Sequence, residues 1–101
     1  MNDGPISVRI DPLLAEIVPK FLQRCRQNVA EIQDALRSGD FSSARRVGHA
    51  LHGTASSFGF DEMAGIGKEI EQAARDRDAD ALKTLAEQLD AHVARVQPVF
   101  D

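Results

Sequence analysis

The stretch that decides the fold is FSSARRVGHALHGTASSF, residues 41–58, preceded by Gly39-Asp40 and followed by Gly59. Phe41, Ala44, Val47, Leu51, Ala55 and Phe58 return every three or four positions. At about 100° per residue they share one face of a helix. Asp40 is placed to cap the start of that helix, and Gly59 stands where a glycine ends one. The remaining residues of the stretch are polar or small and form the opposite face. Position 49 lies about 150° from the centre of the apolar stripe, so His49 is expected near the middle of the solvent face.

Working outward, the same periodicity predicts three more helices. Phe21, Leu22, Cys25, Val29, Ile32 and Leu36 make a stripe from about Pro19 to Arg37, and Ser38-Gly39-Asp40 stops it and starts the next helix. Met63, Ile66, Gly67, Ile70 and Ala74 form a third stripe behind Asp61 as N-cap. After the charged connector Asp76–Asp80, Leu82, Leu85, Leu89, Val93 and Val96 form a fourth, which Pro98 should terminate. A short leading helix is expected with Asp11 as N-cap and Pro12 at its first position, interrupted by Pro19. No segment reads as a half-buried strand. The expected fold is all-α: an antiparallel up-down-up-down four-helix bundle with a short additional N-terminal helix, spanning residues 1–101 as one domain.

Composition bounds the function. The chain has 101 residues, 43% of them apolar, enough for one modest core. Sixteen acids against twelve bases give a net charge of -4, which argues against a nucleic-acid binder. Cys25 is the sole cysteine, so no internal disulfide forms, and its apolar neighbours mark it as core. The start, Met1-Asn2-Asp3-Gly4-Pro5, lacks the basic residues and apolar run of a leader, and no stretch is long and apolar enough to span a bilayer. A cytoplasmic location, no membrane and a monomer are expected.

The chemistry gathers around His49. Ser42, Arg45, Arg46, His52, Gly53 and Ser56 lie within about 60° of it on the helical wheel. An exposed imidazole is largely neutral near pH 7 and keeps a lone pair for nucleophilic attack, while Arg45 and Ser56 can donate to phosphate oxygens. Each glycine inside a helix costs about 0.8–1 kcal/mol against alanine, so Gly48 and Gly53 call for reasons. Gly48 leans inward, for close helix packing. Gly53 points outward, to clear an approach to His49. The spacing of His49 and His52 suits a shared metal, but no further ligand completes a site, and none is expected. His92 reads as a boundary residue of the last helix, and Lys68, Glu69 and Glu71 as a solvated charged face.

The run His49-Ala50-Leu51-His52-Gly53, with Gly59-Phe60 after it, resembles the signature of histidine-containing phosphotransfer (HPt) domains, His-x-Leu-Lys-Gly followed six residues later by glycine and an apolar residue. Gly39-Asp40-Phe41 and Ile66-Gly67-Lys68-Glu69-Ile70-Glu71 are similar to that family as well, particularly to its stand-alone bacterial members, and the resemblance extends from about Asp11 to Val96. It implies a carrier that takes a phosphoryl group onto His49 and passes it on in two-component signalling. The implied partners are receiver domains of response regulators and of a hybrid histidine kinase. It implies no cofactor of its own, with Mg²⁺ supplied by the receiver, and no kinase activity. One position departs from the family: His52 stands where its phosphate-steadying lysine is usual, and Arg45 offers a partial replacement. The competing reading is an HPt-like module that docks on a kinase or receiver without being phosphorylated.

Overall fold

The computed structural model describes residues 4–101, so the leader reading drawn from Met1, Asn2 and Asp3 lies outside the described residues. Four helices dominate: α1 (Val18–Ser38), α2 (Phe41–Phe58), α3 (Asp61–Arg75) and α4 (Ala79–Arg95). Their boundaries follow local chemistry. Pro19 sits in the first turn of α1, where its missing N–H costs no hydrogen bond. Gly39 closes α1 at φ 71°, and the following N–H of Asp40 returns to the Ala35 carbonyl at 2.8 Å. The Asp40 carboxylate then accepts from the Ser43 N–H at 3.0 Å and caps α2. Hydrogen bonds from Ser43 hold that carboxyl below its ordinary pKa. Gly59, at φ 92°, ends α2 in the same way, with Phe60 N–H reaching the Ala55 carbonyl at 2.9 Å.

One expectation at a helix start needs correction. Asp61 is the first helical residue of α3, and the half-in position before it belongs to Phe60, whose side chain is buried and makes no cap. Asp61 and Glu62 instead place negative charge in the first turn, where it favours the helix dipole. Asp78 caps α4 by accepting from Ala81 N–H at 3.0 Å.

The chain ends depart furthest from the all-α expectation. Ile6–Ile10 is a strand, β1, and Val96–Phe100 is a second, β2; the two pair in parallel with Ile6 opposite Val96 and Ile10 opposite Phe100. Ile6, Val8 and Ile10 do alternate with Ser7 and Arg9, but the run is five residues and its partner is about ninety residues away in sequence. Val96 remains buried, as its stripe demanded, yet it is the first residue of β2 and not part of α4. Pro98 therefore lies within the strand and does not itself stop the helix. In place of the leading helix stands one 3₁₀ turn, Pro12–Leu14, with Asp11 capping it by accepting from Leu13 N–H at 2.9 Å.

The core joins all four helices. Val18, Phe21, Cys25, Val29 and Ile32 of α1 meet Leu51 and Ala55 of α2, Met63 and Ile70 of α3, and Leu82, Leu89 and Val93 of α4. Burial of each large aliphatic side chain contributes roughly 1.5–3 kcal/mol. Cys25 is fully buried against Met63, sulfur to sulfur at 3.4 Å, and burial pushes its thiol up to about 12, so it is packing material and not a reactive group. Phe21 closes one end of the bundle, edge-on to Phe58 and tilted against Phe60. No helix of the described residues is long and apolar enough to cross a membrane.

Candidate functional site

The site is set by how closely α2 approaches α3. A Cβ on Gly48 would lie 2.6 Å from the Glu71 backbone nitrogen and 2.8 Å from the Gly67 carbonyl oxygen. A Cβ on Gly67 would lie 2.7 Å from the His52 nitrogen. Real side-chain carbons do not approach backbone so closely, so the two helices meet glycine to glycine. The expected inward role of Gly48 is therefore met, with Gly67 as its counterpart.

With the backbones in contact, side chains flanking the glycines reach across the seam. His49 is one residue from Gly48, and its side chain is 75% exposed, as the wheel requires. Its Nδ1 lies 3.1 Å from Glu71 Oε2. A carboxylate can only accept, so Nδ1 is the donor in this contact, and in the neutral form of the ring Nε2 keeps its lone pair. Glu71 is itself held: its side chain is 17% exposed, and Arg75 donates to the same Oε2 at 3.4 Å from one turn further along α3. The reading of Glu71 as part of a solvated face is corrected here, because the glycine contact draws it into the seam beside His49.

His52 also crosses the seam. Its Nδ1 donates to the Ala64 carbonyl at 3.0 Å, and the residue is half-buried. A carbonyl likewise only accepts, which gives His52 the same tautomer as His49. Across the seam residue 49 is thus paired with 71 and residue 52 with 64.

A depression of about 310 Å³ surrounds the imidazole of His49 and is lined by Ser42, Arg45, Arg46, His49 and Glu71. Of the residues expected around His49, the structure thus brings Ser42, Arg45 and Arg46 to it. Arg46 is fixed by donating to Ser42 Oγ at 3.1 Å and Ser43 Oγ at 3.0 Å. His52 and Ser56 do not line it. Ser56 is seven residues on, roughly 10 Å along the helix axis, and exposed. Gly53 is exposed and a Cβ there would meet nothing within 4 Å, so that surface is open. On the other side of α2, a groove of about 380 Å³ toward α1 has Phe21, Val47, Ala50 and Leu51 among its walls and Arg24 and Arg46 beside them.

This arrangement turns Nε2 of one imidazole toward solvent, with the ring held from behind by Glu71 and two guanidinium groups alongside. Among the described residues no group of three or more His, Cys, Asp or Glu side chains could hold a metal ion. The family model described as the Hpt domain matches residues 16–98 of the chain. None of the curated proteins and none of the solved structures matches it.

Proposed function

Because the chain belongs to the Hpt domain family, whose members carry phosphoryl groups in two-component phosphorelays, we propose that it accepts a phosphoryl group on His49 from a receiver-domain aspartate and hands it to another receiver. The observation that carries this reading is the His49–Glu71 contact, 3.1 Å long, on an imidazole that is otherwise in solvent. It leaves Nε2 free to attack. In the transfer the Nε2 lone pair forms the N–P bond as the acyl phosphate P–O bond breaks, and the partner's aspartate departs as a carboxylate. The ring becomes positively charged while Nδ1 keeps its proton, and the Glu71 carboxylate offsets that charge. Arg45, with Arg46 beside it, takes the part of the family's lysine toward the phosphate oxygens. Mg²⁺ and the remaining stabilisation come from the receiver, as does the in-line geometry.

In this reading the four helices form the up-down-up-down bundle expected of the sequence, and the protein acts as a cytoplasmic monomer without a cofactor of its own. His52, tied to the Ala64 carbonyl, and Ser56, two turns beyond His49, contribute less to the phosphate than Arg45 does. Gly53 leaves the receiver a clear approach.

The test is incubation with a panel of phosphorylated receivers, followed by detection of acid-labile, base-stable label on the chain. Wild type is expected to become labelled. His49→Gln is expected to take up none while its melting shifts by less than about 0.5 kcal/mol, since the side chain is on the surface. Undiminished labelling of that variant overturns the assignment, and receiver binding without any label on wild type supports the docking-module reading in its place.

A further inference from the structure

His92 is the imidazole that phosphotransfer leaves unused, and it is the buried one. Its side chain is 6% exposed, and its Nδ1 lies 2.9 Å from Oε2 of Glu62, whose own side chain is 70% exposed. The ring sits on the seam between α3 and α4, in the wall of a groove of about 580 Å³. The charged groups facing that groove are Glu62 and Glu69 of α3 and Arg95 of α4; β1 contributes only Ile6. Immediately beyond His92 the helix ends. Arg95 Nε donates to the Gly4 carbonyl at 2.9 Å, and Val96 opens β2 opposite Ile6.

We propose that His92 is an acid-sensitive clasp on the chain ends: neutral, it seals the α3–α4 seam and holds the β1–β2 ribbon against the bundle, and protonated, it loosens the last turn of α4 and the ribbon with it. The inference stands independently of phosphotransfer at His49.

Two effects compete at the ring. A carboxylate at 2.9 Å favours the imidazolium, as in any ion pair. That carboxylate, however, stands mostly in water, where its field is screened. The ring does not, and a second N–H there has to be accommodated in the interior. Arg95 adds repulsion. Burial therefore prevails, and the pKa of His92 falls below its ordinary value, with Glu62 opposing and Arg95 assisting. The sign of the consequence follows. Above the ordinary imidazole pKa both folded and unfolded chains are neutral at this position, and nothing is gained or lost. As pH falls below it, the unfolded chain takes up a proton that the folded chain resists, so folding stability declines. A stabilising ion pair would act oppositely and gain stability on acidification.

The experiment combines NMR titration of the His92 ring in the full wild-type chain, hydrogen exchange of β1 and β2 amides at two pH values corrected for intrinsic rates, and melts of wild type, His92→Gln and Glu62→Gln. His92 is expected to titrate below about 6.5, the ordinary imidazole value. Between pH 7.5 and 5.5 the melting temperature should fall most in Glu62→Gln, less in wild type and least in His92→Gln. Ribbon amides should lose protection at the lower pH while those around Ile32 keep theirs. Titration of His92 at or above the ordinary value overturns the proposal, as does a smaller acid loss in Glu62→Gln than in wild type. Uniform loss of protection across the chain overturns the clasp. If His92→Gln does not fold, the titration and the Glu62→Gln melts decide the matter.

Discussion

Two histidine–glutamate pairs lie on opposite sides of α3, and they are mirror images in their exposure to water. At the α2–α3 seam the imidazole of His49 is 75% exposed and the carboxylate of Glu71 17%. At the α3–α4 seam the imidazole of His92 is 6% exposed and the carboxylate of Glu62 70%. The contact distances are nearly the same, 3.1 and 2.9 Å. What differs is which partner the fold holds still. With the acid tucked in, the ring is aimed outward and its far nitrogen meets whatever docks. With the ring tucked in, the acid is screened and the imidazole becomes part of the packing, where a proton is costly. Pair geometry alone does not assign a role; the location of the water does.

The strongest way to break the comparison is to separate α2 from α3. Gly48→Ala should gain up to about 1 kcal/mol in helix propensity. The new methyl group, however, would meet backbone atoms of Gly67 and Glu71 at 2.8 and 2.6 Å. Backbone cannot rotate aside as a side-chain tip can, so the helices must part, and overpacking of this kind costs about 1–3 kcal/mol. A net loss of stability is expected in thermal melts, several degrees for each kcal/mol. The His49 ring should lose its fixed tautomer in ¹⁵N NMR spectra while the His92 ring keeps its own. A stable Gly48→Ala protein with both tautomers intact would show that glycine contact does not build the site.

The legibility of these two regions in the sequence was unequal for a physical reason. Periodicity reports which side of one helix is wet, and it placed His49 in solvent and Leu51 in the core because both facts are local to α2. It also put Gly48 on the inward side. It could not reveal that Gly67 lies opposite Gly48, and so it left Glu71, one turn from Gly67, on a solvated face. The available signal was the pair of glycines on successive helices, since a residue flanking such a contact falls on the seam. His92 reads as a boundary residue for the same reason: its partner Glu62, and the Gly65 and Ile66 that share its groove, belong to another helix. The ribbon was missed because neither five-residue strand is stable alone and their pairing spans the chain. Ser56 shares a face with His49, but the wheel discards the distance along the axis.

A smaller effect sharpens the comparison by treating the two acids alike. Glu71→Ala removes the group that orients His49, and phosphoryl acceptance should slow on the order of tenfold, about 1.4 kcal/mol of barrier, as loss of outer partners commonly does. The ¹⁵N spectrum should show His49 distributed over both tautomers, a change that a merely structural role would not produce. Glu71→Gln can still accept from Nδ1 through its amide oxygen and should restore the tautomer and part of the rate. Glu62→Gln should leave acceptance unchanged and alter only the acid response. Equal transfer rates in Glu71→Ala and wild type would remove Glu71 from the site.

The smallest expected effect on stability concerns Gly53, five residues from Gly48 in the same helix and opposite in setting. A side chain there meets nothing within 4 Å, so Gly53→Gln relieves the helix of a poor former without crowding any neighbour in the free protein. The melt should be unchanged or raised by less than about 1 kcal/mol, the range of the propensity difference. The cost should appear only when a partner arrives. A side chain one turn beyond His49, on the exposed face, stands where the incoming surface must pass, and transfer from a phosphorylated receiver should fall although the His49–Glu71 contact is intact. The same substitution should leave the His92 titration as it was, since that ring faces the α3–α4 groove. Loss of transfer with a maintained melt would thus locate the open side of the molecule on the face of the exposed imidazole. Wild-type transfer in Gly53→Gln would mean that the receiver approaches from the α1 side of α2, over the groove walled by Val47 and Ala50, and that the glycine serves no docking purpose.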